Sequence, residues 1–189
     1  MVFINPELKQ IVRAQLEERH ERSGAAAERA LTTVKSEALV DLQFRMTVEG
    51  HEFIVDERKS SGSHDAGPAP VRYYLGGIMG CYQVWFIKSA ALADLSLDRF
   101  EAEISSFPGG RASSGGSPQP HLLLTIIVDS GNTDDQIRML AEQAAQRCGI
   151  FMSTSRATRI ELVVVHNGNT ILERAYAAGE AKTEQAAGV

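Results

Sequence analysis

The sequence predicts an α+β fold in which two long helices, each carrying one of the two cysteines, are set among strands that come in hairpins. Three observations carry this. The stretch Gly67 to Lys88, GPAPVRYYLGGIMGCYQVWFIK, opens on Pro68 and Pro70 and then stays apolar for most of about six turns. Period-two alternation marks strands on both sides of it. A second helical pattern follows, with Ile137, Leu140, Ala141, Ala144 and Cys148 on one face.

Proline is tolerated in the first helical turn, where its missing N–H has no partner anyway, so the central helix is expected from near Pro70 to near Ser89. Its apolar residues, Tyr73, Tyr74, Leu75, Ile78, Met79, Tyr82, Val84, Trp85, Phe86 and Ile87, go most of the way round, the pattern of a buried helix. With Gly76, Gly77, Gly80 and two charges the run is short for a membrane span. Each glycine costs the helix about 1 kcal/mol relative to alanine. Three in five residues therefore predict that another backbone packs closely there. Tyr74, Gly77, Ile78, Trp85 and Lys88 share the face of Cys81, and that apolar face would leave a thiol inert unless a cation is supplied from elsewhere.

Ahead of this helix, Asn5-Pro6 starts an N-terminal helix with Leu8, Ile11, Val12 and Leu16 at helical spacing, fading through the charged run Glu17 to Arg22. The alanines between 25 and 30 suggest a second short helix. One strand is read from Ala38 to Val48, turning at Glu49-Gly50 into a partner from His51 to Asp56. Glu57 to Gly67 is a polar loop. Beyond the central helix, Leu97 to Ser105 alternates as a strand, and Phe107 to Pro120, rich in Gly, Ser and Pro, reads as a flexible hairpin loop. His121 to Val128, HLLLTIIV, is a central strand. Thr133 or Asp134 caps the second helix, and Gly149 is its expected C-cap. Arg159 to His166 and Thr170 to Tyr176 form a closing hairpin around Asn167-Gly168-Asn169. The layout is ββα, ββα and a final hairpin. It divides into an N-terminal helical extension over 1–37, a domain over 38–176 and a flexible tail over 177–189.

Composition excludes several functions. A length of 189 residues with 43% hydrophobic residues suits one domain with a sizeable core. A net charge of −5 and no basic cluster longer than two residues speak against nucleic acid as a partner. The start, MVFINPELKQ, has no long apolar run, so a cytoplasmic location is expected. In a reducing compartment two cysteines are free thiols, metal ligands or a redox pair. His51, His64 and His121 are scattered and no CxxC or HxxxH spacing occurs, so no metal is expected. Gly109-Gly110 and Gly115-Gly116 precede no helix, so no phosphate loop and no cofactor are expected.

Taken in order, Val55-Asp56-Glu57 closing a strand, Gly67-Pro68-Ala69-Pro70, Cys81 between Gly80 and Tyr82, and Cys148 before Ser153-Thr154-Ser155 resemble the OsmC/Ohr family, the osmotically inducible and organic hydroperoxide resistance proteins. The resemblance covers about residues 38 to 176. It implies an intertwined homodimer with sheets wrapped around two central helices. It implies that Cys81 is peroxidatic and attacks a small organic hydroperoxide, that Cys148 resolves the sulfenic acid as a disulfide, and that a dithiol reductant, lipoylated proteins in the Ohr branch, restores the pair. Hydroperoxide-reducing members carry a glutamate straight after the second proline, holding a catalytic arginine; here Val71 and then Arg72 follow. The resolving cysteine is usually followed by proline, here Gly149.

A thiolate needs a cation, and Arg72 is the first candidate. It lies nine residues before Cys81, about 180° round an ideal helix, so it would act through a helix irregularity or from a partner subunit. Arg45 is the runner-up; Arg58 and Lys59 read as surface charges. The competing expectation is a non-catalytic dimeric module that binds a small apolar ligand, its two cysteines inert in the core.

Overall fold

The computed structural model describes residues 1–22, 32–107 and 121–176. The suggested helix over 25–30, the loop beyond Phe107 and the tail over 177–189 lie outside them. Two compact units divide the chain: residues 17–76, and residues 1–16 with 77 onward.

In the first unit, β1 (Lys35–Val40), β2 (Gln43–Val48) and β3 (His51–Val55) form an antiparallel meander in the order β1-β2-β3. The strand read over 38–48 is therefore two strands. Asp41 turns the chain at φ 49, in the left-handed region that aspartate tolerates. The alternation runs on through that turn, which hides it. The expected hairpin at Glu49-Gly50 has positive φ at both residues and pairs Val48 with His51, the geometry of a two-residue primed turn.

Asp56 ends the meander and gathers the polar loop behind it. Its buried carboxylate accepts from the Ser63 hydroxyl, Glu57 N at 2.7 Å, Ala66 N at 2.9 Å and Gln43 Nε2 at 3.3 Å. Burial pushes this carboxyl up. The bonds from Ser63, Ala66, Glu57 and Gln43 outweigh that and hold it well below the usual carboxylate range. Gly67 is required by close approach: a Cβ there would collide with the Ile54 carbonyl. Tyr73 Oη donates to that same carbonyl at 2.6 Å.

Helix α2 (Pro70–Leu92) begins at the expected proline and runs one turn past Ser89. In the second unit, β4 (Arg99–Phe107), β5 (His121–Asp129), β6 (Arg159–His166) and β7 (Asn169–Tyr176) form a sheet in that order. β4 and β5 pair antiparallel from Arg99–Asp129 to Phe107–His121. β5 and β6 are parallel and central, with α3 (Asp134–Arg147) and α4 (Gly149–Ser155) between them in sequence. Alternate residues of β5 and β6 (Leu122, Leu124, Ile126, Val128; Ile160, Leu162, Val164) are buried with Ile78, Tyr82 and Phe86 of α2, Ile137 and Leu140 of α3 and Phe151 of α4. Phe86 stacks on Phe100 of β4 at 4.8 Å, and Phe151 meets Tyr176 of β7 edge-on.

The all-round apolar reading of α2 is corrected. Val71, Tyr74 and Val84 are about half exposed. A Cβ added at Gly76, Gly77 or Gly80 would meet nothing within 4 Å, so among the described residues no backbone packs on them. At the N-terminus, α1 (Leu8–Arg22) starts after Asn5, whose Oδ1 accepts from Glu7 N at 2.9 Å. Val12 is fully buried, Lys9 pairs with Asp94, and Gln15 Oε1 accepts from Lys88 Nζ at 2.9 Å.

Candidate functional site

Cys148 is delivered by α3. Thr133 caps that helix in a capping box: its Oγ1 accepts from Gln136 N at 3.3 Å, and Gln136 Oε1 accepts from Thr133 N at 2.9 Å. Asp134 and Asp135 suit the positive end of the helix dipole. One buried stripe, Ile137, Leu140, Ala141 and Ala144, then carries the helix inward to Cys148, which has no exposed surface. The expected C-cap at Gly149 is corrected here. Cys148 itself ends α3, with φ −79 and ψ 101, and also caps the next helix, its Sγ accepting from Phe151 N at 3.4 Å. Gly149 opens α4, and Ser153-Thr154-Ser155 are its last turn rather than an irregular one. The extended backbone at Cys148 breaks the helix, and the sulfur supplies the acceptor that makes restarting it one residue later favourable.

Cys81 is delivered by α2, which two further bonds tie to α3. Tyr82, fully buried, donates from Oη to the Ala141 carbonyl at 3.0 Å, and Arg147 Nη1 donates to the buried Ser89 hydroxyl at 3.4 Å. The Cys148 thiol donates to Cys81 Sγ at 2.8 Å. Both thiols are free; Cys81 is partly exposed and Cys148 is not. A disulfide would need the sulfurs to close from 2.8 Å to about 2.05 Å. Burial, and then the hydrogen bond to Cys81, push the Cys148 thiol up to about 12 despite the amides of Phe151 and Ile150. The arrangement is a partly exposed sulfur that accepts a hydrogen bond, backed by a buried thiol that keeps its proton.

Arg72, the third residue of α2, is exposed; its backbone N donates to Ala69 O at 2.9 Å, and its guanidinium makes no hydrogen bond or ion pair among the described residues. It lies nine residues before Cys81 in the sequence, on the same helix. Arg45 is engaged by Glu37 at 2.9 Å, at the surface. No group of three or more His, Cys, Asp or Glu side chains placed to hold a metal occurs among the described residues. Among them, too, no helix is long and apolar enough to cross a membrane.

Sequence reasoning missed a second polar cluster. His166, 2% exposed, has Nδ1 at 2.7 Å from Asp134 Oδ1 and Nε2 at 3.0 Å from Ser130 Oγ. The carboxylate can only accept, so Nδ1 carries a proton, and Nε2 lies within hydrogen-bond distance of the Ser130 hydroxyl and, at 3.1 Å, of Asn167 Nδ2. The order Ser–His–Asp is that of a hydrolytic triad, but access is reversed. Asp134 faces solvent while Ser130 is 7% exposed, with its Oγ also accepting from Asn132 N at 3.3 Å. Asn167 brackets the Ser130 backbone, taking its N–H at 3.0 Å and giving to its carbonyl at 2.9 Å. The cluster fastens the ends of β5 and β6 to the start of α3. In the sequence His166 is only the last residue of an alternating strand before the Asn167-Gly168 turn, and no spacing links it to Ser130 or Asp134.

Comparison with known proteins agrees with this architecture. The model of one family, OsmC-like protein, matches residues 62–163. Among curated proteins, no sequence matches. Solved structures with the same fold include an OsmC-like protein from Mycoplasma pneumoniae (13% identity, TM-score 0.62, covering 74% of this chain and 98% of that one). An organic hydroperoxide resistance protein from Elizabethkingia anophelis is similar at 18% identity and TM-score 0.58, with 75% and 99% covered. Another from Legionella pneumophila is similar at 15% identity and TM-score 0.54, with 72% and 99% covered.

Proposed function

This chain belongs to the OsmC-like protein family, and on that premise we propose that it is a thiol-dependent peroxidase that reduces small organic hydroperoxides. The observation that carries the proposal is the 2.8 Å approach of a partly exposed Cys81 sulfur to a buried Cys148 thiol. Cys81, the sulfur a solute can reach, attacks the distal peroxide oxygen. The O–O bond breaks, the alcohol leaves with a proton, and Cys81 becomes a sulfenic acid. Cys148 then attacks that sulfur; the S–S bond forms and the oxygen leaves as water. An external dithiol, of which a lipoylated protein is one kind, reduces the disulfide by two electrons and returns both thiols. The high pKa of Cys148 suits the order of events, because a thiol that stays protonated does not compete for peroxide.

The proposal includes a homodimer. The open stripe Gly76, Gly77, Gly80 and Val84 on α2 and the uncovered faces of the meander are what a second copy would cover, with the two central helices packed across a two-fold axis. Arg72 is the residue we assign to supply positive charge to the thiol site, from the partner subunit. Light scattering that finds a stable folded monomer near 20.5 kDa would reject the dimer.

The test is mass spectrometry after tert-butyl or cumene hydroperoxide. One intramolecular disulfide, a loss of two protons, is expected; Cys148→Ser should leave Cys81 as sulfenic or sulfinic acid, and Arg72→Ala should slow the oxidation. A second reading is favoured by Val71 and Arg72 where the hydroperoxide-reducing members have glutamate. In it the chain is a non-catalytic dimeric module for a small apolar ligand. Both thiols staying reduced at millimolar peroxide would decide for that reading.

A further inference from the structure

We propose that the reduced Cys81–Cys148 pair is a binding site for monosubstituted trivalent arsenicals, held by two sulfurs and nothing else. The inference uses the same two thiols as the peroxidase reading but not their redox chemistry. Both cysteines are free, and their sulfurs lie 2.8 Å apart. They come from two helices that Tyr82 Oη and Arg147 Nη1 hold in place, so the second sulfur needs no search once the first is bound.

The donor set decides the ligand class. A structural zinc ion wants four ligands, and no third His, Cys, Asp or Glu is placed to join the pair among the described residues. Two thiolates favour a soft, thiophilic centre. An arsenic(III) atom that already carries one carbon substituent is satisfied by two sulfurs. Arsenite, which would take a third sulfur, is matched less well. Entry is through Cys81, which solvent reaches, and closure is onto Cys148, which it does not.

The step balances without an oxidant or reductant. With phenylarsine oxide, two S–H bonds and the arsenic–oxygen bond break, two arsenic–sulfur bonds form, and the oxygen leaves with both protons as water. Arsenic stays trivalent. Because the second bond is intramolecular, the chelate should outlast a one-sulfur adduct by roughly 100-fold or more.

The experiment adds one equivalent of phenylarsine oxide to the reduced full-length protein and reads intact mass and remaining thiols. The expected result is one adduct per chain, loss of both thiols to alkylation, survival in excess 2-mercaptoethanol and release by 2,3-dimercaptopropanol. Cys81→Ser and Cys148→Ser should each give an adduct that the monothiol strips. Serine can take over the capping bond to Phe151 N, so the second variant keeps its fold, which circular dichroism checks. No adduct on the folded wild type, or one that the monothiol removes as fast as from the single-cysteine variants, would overturn the proposal. Neither result bears on the peroxide test, in which the thiols could stay reduced and the arsenical still bind.

Discussion

The four-stranded sheet and the three-stranded meander begin from the same alternation of apolar and polar residues. In β5 and β6 every second side chain is buried under the helices. In β1 and β2 none is, and in β3 only Val55. The sheet is held by removing apolar surface from water. The meander is held by its backbone ladders, by the donors around Asp56, by Tyr73 on the Ile54 carbonyl and by the Phe53–Tyr73 ring contact at 5.0 Å. Alternation thus marks which side of a strand would be buried, not whether anything lies on it.

The largest effect should come from the sheet. Leu124→Ala, at a fully buried position, is expected to cost about 2–5 kcal/mol at any protein concentration. Met46→Ala in β2 should cost less in a dilute chain, and its cost should rise with concentration if a second copy covers the meander. Urea unfolding across a dilution series measures both. Equal costs at the lowest concentration would mean that the meander has a core of its own.

Gly67→Ala should be next, at about 1–3 kcal/mol, because a methyl there meets the Ile54 backbone rather than a movable side chain. Hydrogen exchange should place the loss in β3 and leave β5 protected.

Acid should separate the two sheets further. The Asp56 carboxyl is depressed in the fold relative to about 3.9 in an unfolded chain, so between the two values the folded state binds fewer protons. Its contribution is present in full above about pH 4 and is lost as pH falls below that. The meander should therefore open in acid before the sheet, and Asp56→Asn should flatten that dependence. Amide exchange of β2 and β5 against pH reads it; parallel loss in both would contradict the contrast.

The smallest effect carries the most information about cover. Gly80→Ala should stabilise an isolated chain by up to about 1 kcal/mol, since the new methyl meets nothing within 4 Å. A loss instead, together with weaker association in sedimentation, would mean that a partner helix lies on the stripe.

What the sequence by itself determined is local. The proline start of α2, the capping box at Thr133, the positive-φ turns at Glu49-Gly50 and Asn167-Gly168 and the single buried stripe of α3 all follow from interactions within a few residues, which composition and spacing record. The turn at Asp41 was not legible, because the apolar alternation keeps its phase across it. The restart of a helix at Gly149 was not legible either, because it rests on a sulfur serving as cap, a task usually read from Ser, Thr, Asp or Asn. Only the tertiary structure decided which side of α2 is covered, that His166 sits between Ser130 and Asp134, and that two sulfurs 67 residues apart come within 2.8 Å. Those outcomes depend on how helices and strand ends pack against one another, which is set by the whole packed surface of each element rather than by any short stretch of chain.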